Sequence, residues 1–199
     1  LSELDEIVDY VTNKGADLVV LYCISQYPCP LEYFNLSTME GFIKKYPEVV
    51  VGFSDHSTDH VAVTGALKLG AKVVEKHFTF DREFWGSDHK ASITPVEHRE
   101  MVEIARSKSY EDVEVGELYG DPDKELEGAE NKFRPYFNKA LMAGQDIPSG
   151  TIITPDMVYA MRPIIHAGGL PANQLSLIIG KKTTTDISRF DPMTKDKLA

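Results

Sequence analysis

The sequence is poor in cysteine, in basic residues and in long apolar runs. With only Cys23 and Cys29 among 199 residues, a disulfide-stapled secreted scaffold is excluded. Lysine and arginine number 21 against 31 aspartates and glutamates, a formal net charge of −10. That balance argues against a nucleic-acid partner, whose phosphates need a basic stripe. It leaves room for a small anionic substrate held by a local field. No apolar stretch approaches the roughly 18 residues of a membrane helix, and no signal peptide is visible, so no membrane partner and a reducing, cytoplasmic compartment are expected. An initiator methionine is lacking too: Leu1 runs straight into an amphipathic pattern, as expected of a piece of a longer protein. What is present is 42% hydrophobic, enough to build the core of one or two domains.

Residues 2–14 read as a helix, with Ser2 as a cap, acidic Glu3, Asp5 and Glu6 at its positive end, and Gly15 as its stop. Leu18 to Cys23 is a continuous apolar run, the pattern of a strand buried on both faces. The cycle repeats. A helix is predicted from Ser37 to about Lys45, a strand over Val49–Phe53, a helix over Asp59–Leu69 and a strand over Ala71–Phe78. After a loop through Gly86 and Asp88, Thr94-Pro95-Val96-Glu97 opens a last helix. This alternation, with a period of roughly 28 residues, predicts βαβ units and a parallel sheet. Three strands are fewer than either a (β/α)₈ barrel or an open doubly wound sheet requires. Residues 1–107 are therefore part of one of them. Residues 108–134 are polar, acidic and glycine-bearing, and read as a linker. Residues 135–199 alternate short apolar segments with turns and predict a small β-rich domain.

Chemistry in parallel α/β sheets sits at the carboxyl ends of the strands. The three ends here are Cys23-Ile24-Ser25-Gln26-Tyr27-Pro28, Gly52-Phe53-Ser54-Asp55-His56-Ser57 and Glu75-Lys76-His77-Phe78. If the second and third strands are neighbours, His56 and His77 converge. Two neutral imidazoles with open positions suit Mn, Fe or Zn; otherwise one caps a helix and the other packs in a core. Asp55 either orients a metal-bound histidine or caps the next helix. Glu75 shares the strand face of His77 and is either an acid/base group or half of a salt bridge. Ser54, on the face of His56, can donate to a phosphate or hydroxyl. Tyr27 can stack on a sugar or is an ordinary loop tyrosine. Cys23 and Cys29 lack metal spacing and read as spectator thiols.

Gly52-Phe53-Ser54-Asp55-His56-Ser57, Gly70 to Phe78, and Gly86-Ser87-Asp88-His89 with Ser92 closely resemble the sialic acid synthase family, which includes the N-acetylneuraminate, legionaminate, pseudaminate and spore-coat polysaccharide synthases. Tyr27-Pro28 with Pro30 resembles the family's loop after the sixth barrel strand. Residues 135–190, with Ile147-Pro148-Ser149-Gly150, Arg162-Pro163 and Gly180-Lys181, resemble its SAF (antifreeze-like) domain. The resemblance implies an α/β fold: about three βα units, strands six to eight, of a (β/α)₈ TIM barrel, followed by the SAF domain. It implies condensation of phosphoenolpyruvate with an N-acylmannosamine-type aldose to a nonulosonic acid and phosphate. A divalent metal, Mn²⁺ by the family's habit, falls to His56 and His77. Ser54 matches a phosphate contact, and Tyr27 and Asp88 match sugar contacts. Arg162 matches an arginine that enters the partner subunit's site in a domain-swapped homodimer.

Two positions depart from the family. Ser25 stands where some N-acetylneuraminate synthases have Asn, which bears on its phosphate assignment, and Ser87 replaces a frequent Pro. The family's phosphate-binding lysines and a catalytic glutamate belong to strands one to five, so this chain alone is expected to be inactive and poorly soluble. The competing expectations are a non-catalytic sugar-binding or dimerisation module and a different metal-dependent barrel aldolase.

Overall fold

The computed structural model describes residues 2–121 and 134–199, and the chain divides into two compact units, residues 1–125 and 126–199. The side chain of Ser2 and residues 122–133 of the expected linker lie outside the described residues.

In the first unit, β1 (Val19–Cys23), β2 (Val50–Asp55) and β3 (Val74–Lys76) lie side by side in that order, all parallel. Helices α1 (Ser2–Asn13), α2 (Leu36–Lys45), α3 (Val61–Lys68) and α4 (Pro95–Ser107) separate and flank them. The side-chain period of two decides which residues serve the core. Tyr22, Val51 and Phe53 are buried with Phe34, Met39 and Val63. Tyr22 and Phe53 stack at 6.4 Å, and Phe34 meets Phe53 edge-on at 5.5 Å. The opposite face carries Leu21, Gly52 and Val73, then Cys23, Ser54 and Glu75. Gly52 is required there, because a Cβ would sit 2.7 Å from Leu21 Cδ2 and collide with the Val73 carbonyl.

The apolar runs predict strands buried on both faces, and the structure corrects this for β1 and β3. β2 is buried on both faces from Val51 to Asp55, but β1 and β3 are covered chiefly on the helix side, and Val19, Val50 and Val73 are exposed on the other. Such a face is buried when other strands oppose it, and none of the described residues does so. Element ends shift as well. α2 begins at Leu36 after a left-handed Asn35. α3 begins at Val61, with Asp59 Oδ1 accepting the Val61 N–H at 2.9 Å. β3 is three residues long, although Phe78 still bridges Ile93 in parallel. Glu97 Oε2 accepts both the N–H and the hydroxyl of Thr94, closing the start of α4.

Residues 108–121, read from sequence as linker, pack against this unit. Leu118 joins the core with Val115 beside it, Lys68 Nζ donates to the Val113 carbonyl, and Ser37 N–H donates to the Tyr119 carbonyl at 2.9 Å. Their acidic composition hid two apolar anchors, Val115 and Leu118.

The second unit has its own core of Leu141, Ile147, Ile153, Ile178, Ile187 and Met193. β4 (Ala140–Ala143) pairs antiparallel with β5 (Val158–Met161). An internal twofold relation runs through it. Ile147 and Ile187 exchange both backbone hydrogen bonds, at 2.8 and 2.9 Å. Ser149 N–H donates to Asp186 Oδ1 at 2.7 Å, and Arg189 N–H donates to Asp146 Oδ1 at 2.8 Å. The turn apices Gly150 and Phe190 both have positive φ, 82° and 73°. Each half closes with a short 3₁₀ turn, Pro155–Met157 and Lys195–Lys197.

This pairing makes Ile147 and Ile187 equivalent. Ile147→Ala and Ile187→Ala should each destabilise the second unit by about 2–5 kcal/mol in urea unfolding. A cost below about 1 kcal/mol at either would show that the two halves do not share one core.

Candidate functional site

The parallel register sets the site. Cys23 pairs with Ser54, and Ser54 with Glu75, as one row across the three strands. Ser25, His56 and His77 follow two residues later in each segment. The His56 and His77 rings lie 5.1 Å apart, centroid to centroid, at 70°. The Tyr27 ring packs on His56 at 4.0 Å and meets His77 edge-on at 5.8 Å. The Tyr27 loop is tied to β2 by Cys29 N–H, which donates to the His56 carbonyl at 2.9 Å. On the far side, Asp88 Oδ2 lies 4.0 Å from His77 Nδ1, and Ser87 Oγ donates to Asp88 Oδ1 at 3.0 Å. Tyr27, His56, His77 and Asp88 therefore form one cluster.

His56 Nδ1 lies 2.7 Å from the Ile24 carbonyl. A carbonyl only accepts, so Nδ1 carries the proton and Nε2 keeps its lone pair. Burial lowers the pKa of this ring, the Ile24 bond opposes that shift, and the positive charge His77 can carry adds to it. A neutral imidazole with a free Nε2 is what a metal ligand requires. The donor set fits a divalent ion that keeps open positions. Among the described residues no third His, Cys, Asp or Glu joins the two rings in a closed cluster.

Asp55 plays neither role expected of it. Its Oδ1 accepts Ser57 N–H and its Oδ2 accepts Ser57 Oγ, both at 2.8 Å, and Oδ2 also accepts Lys76 Nζ at 2.6 Å. It faces the helices, while the ring of the next residue faces the other way, so it cannot reach His56 Nδ1. His60, not Asp55, precedes α3. Burial pulls the Lys76 ammonium below the usual lysine range, and Asp55 opposes that shift.

In the row below the histidines, Ser54 Oγ donates to Glu75 Oε1 at 2.7 Å. That commits the serine proton, so a phosphate at Ser54 requires this bond to be given up. Cys23 Sγ stands 3.8 Å from His56 Nδ1, so this thiol borders the site. Desolvation pushes its thiol pKa up, and the Ser54 and Ser25 side chains oppose that shift. The sequence signal for Cys23 was available, since it lies two residues before Ser25 on the same face. The Ile24 contact uses backbone alone and leaves no side-chain trace. Burial raises the pKa of Tyr27. Arg162 belongs to the second unit, where its guanidinium lies 5.9 Å from the Phe137 ring centroid.

This arrangement defines an α/β wall with a two-imidazole site, and comparison with known proteins gives its class. Residues 1–113 match the model of the NeuB family and residues 138–199 that of the SAF domain. The chain belongs to the NeuB family. It is 30% identical over 196 residues to human N-acetylneuraminate-9-phosphate synthase, covering 98% of this chain and 52% of that protein. It is 32% identical over 187 residues to N,N'-diacetyllegionaminic acid synthase of Campylobacter jejuni, covering 92% and 53%. The crystal structure of the spore coat polysaccharide biosynthesis protein SpsE of Bacillus subtilis superposes with a TM-score of 0.81 at 27% identity, over 100% of this chain and 58% of that one. The chain spans about half the length of the curated relatives it matches. Its fold is the C-terminal portion of the family's (β/α)₈ barrel followed by the SAF domain.

The depressed His56 pKa carries a sign. The unfolded ring takes up a proton near pH 6.5, and the folded ring does so only at lower pH. Stability from this residue is complete above about pH 6.5 and declines as pH falls toward the folded pKa. An NMR titration of metal-free protein should place the His56 midpoint below about 6.5; a midpoint above that value would contradict the buried, Ile24-bonded ring.

Proposed function

We propose that this chain forms the metal-binding and sugar-facing wall of a nonulosonic acid synthase. The reaction joins the methylene carbon of phosphoenolpyruvate to the aldehyde carbon of an N-acylmannosamine-like aldose, water adds at the enol carbon, and phosphate leaves. One observation carries the reading: two imidazoles 5.1 Å apart at the ends of adjacent parallel strands, with His56 Nε2 unburdened. The family match and the names of the relatives support the same reaction class.

Each group has a task that follows from its place. His56 and His77 would hold the divalent metal, with manganese the expected ion. When bound, that metal supplies a Lewis acid for the aldehyde oxygen. Nitrogen-only donors favour zinc over manganese, so the ions must be compared directly. Tyr27, clamped over His56, and Asp88, with most of its carboxylate in solvent, face the sugar hydroxyls. Ser25 and Ser54 take the phosphate side. Glu75, bonded to Ser54, is the acid/base group in that row; it must release the hydroxyl when an anion arrives, since one hydroxyl proton cannot serve both. Arg162 reaches the sugar of the partner subunit in a domain-swapped homodimer, its planar fork suiting a carbonyl or hydroxyl pair. The remaining phosphate contacts fall to the other barrel strands, and this chain without them is inactive. Among the described residues no helix is long and apolar enough to cross a membrane.

The test uses the full-length enzyme with phosphoenolpyruvate, N-acylated hexoses and each divalent ion in turn. Phosphate release that depends on both substrates is expected, and its absence with every hexose and ion would end the reading. His77→Ala should lose both bound metal and turnover while its circular dichroism is unchanged; full activity without metal would remove the histidines from the site. Arg162→Ala should raise KM for the sugar at least tenfold more than KM for phosphoenolpyruvate, and the reverse pattern would place Arg162 elsewhere.

A further inference from the structure

The two rings are held unequally. His56 is pinned by the Ile24 carbonyl at 2.7 Å. His77 Nδ1 is 4.0 Å from Asp88 Oδ2, beyond a hydrogen bond. Its ring is therefore placed by contact with the Tyr27 and His56 rings and by its backbone, which leaves a strand only three residues long. One anchor follows His77: Ile93 N–H donates to its carbonyl at 2.8 Å. The other precedes it.

Asp55 and Lys76 face each other in the β2–β3 register, and each stands one residue before a histidine. Strand alternation puts their side chains behind the sheet and the two rings in front. Lys76 Nζ donates to Asp55 Oδ2 at 2.6 Å, to the Ser57 carbonyl at 2.5 Å and to Ser57 Oγ at 3.1 Å. Asp55 in turn accepts Ser57 N–H and Oγ. The two side chains are 2% and 0% exposed. The knot thus joins the residue before His56, the residue after it and the residue before His77. Stability alone does not account for such a pair, because well-packed apolar side chains serve a core equally well. Three directed donors on one ammonium do what apolar contact does not: they fix how far one strand end lies from the next.

We propose that Asp55 and Lys76 are a positioning pair, which sets the separation of the His56 and His77 imidazoles from the back of the sheet so that both can take one metal ion. The proposal rests on the metal reading of the two rings. Neither residue touches the metal or the substrate; their action passes through the backbone of the histidines.

The test compares full-length wild type with Lys76→Met and with Asp55→Asn/Lys76→Met. The double variant leaves no unpaired buried charge and keeps an acceptor for Ser57 N–H. Two readouts are needed, both at a temperature where melting curves show each protein folded. The first is Mn²⁺ and Co²⁺ affinity by titration calorimetry, expected to fall about tenfold or more in both variants, the scale on which groups that orient metal ligands act. The second is the ring-to-ring nuclear Overhauser effect between His56 and His77 in metal-free, histidine-labelled protein, expected in wild type and weakened in the variants. Leu118→Ala, which opens a cavity in the core where Leu118 packs on Gly65 of α3, should lower the melting temperature with neither readout changed. A folded double variant with wild-type affinity and an intact ring-to-ring signal would overturn the proposal. Wild type that binds neither ion, with the ring signal still lost in the variants, would refute the metal reading and leave the positioning role standing.

Discussion

The pairing of β2 with β3 in parallel, Phe53 opposite Val74 through Asp55 opposite Lys76, is the constraint on which the site depends. A slip of one residue would turn every side chain to the other face. A slipped β3 would turn His77 toward the helices, away from His56, and Lys76 toward the opposite side, away from Asp55. The register is specified from both sides at once. Phe53 must enter the helix core, and Gly52 must yield to Leu21 and Val73. Large apolar side chains on one face and a missing side chain on the other leave one alignment.

Electrostatics then sorts the polar residues. Behind the sheet, burial demands that an ammonium and a carboxylate meet and saturate each other. In front, Ser54 and His56 are buried while His77 and Asp88 reach solvent, and the polar groups pair lightly: a serine on a glutamate, a thiol near an imidazole, an aspartate short of bonding distance. Lightly paired groups exchange their partners for a ligand at little cost, whereas saturated ones do not. The chemistry proposed for this chain is placed entirely on the lightly paired side.

Much of the fold was legible because three apolar runs, each ending in polar residues, have one common solution in a parallel wall. The convergence of His56 and His77 was legible for the same reason: neighbouring strands of equal phase bring their end residues together. Asp55 was misread because its partner, Lys76, lies 21 residues away and is fixed by register, which sequence spacing does not report. The anchoring carbonyl of Ile24 has no residue type to betray it. Burial of the strands was overestimated because an apolar run records what a wall is built to meet rather than what these described residues supply. The packed stretch at 108–121 was hidden by acidic neighbours around two apolar anchors.

The twofold relation inside the second unit was missed as well, since only scattered positions agree between its halves: Asp146 with Asp186, Ile147 with Ile187, Thr154 with Thr194, Asp156 with Asp196. Reciprocal contacts of this kind, i to j and j to i, are the mark of an isologous dimer interface, here contained in one polypeptide. Two like segments of one chain here take the places that two subunits take there. Joined copies are released from identity. One apex keeps a glycine at positive φ, while the other bears Phe190, whose ring lies under the Arg189 guanidinium at 4.5 Å. Symmetry supplied the scaffold, and its breaking gave the two ends different surfaces.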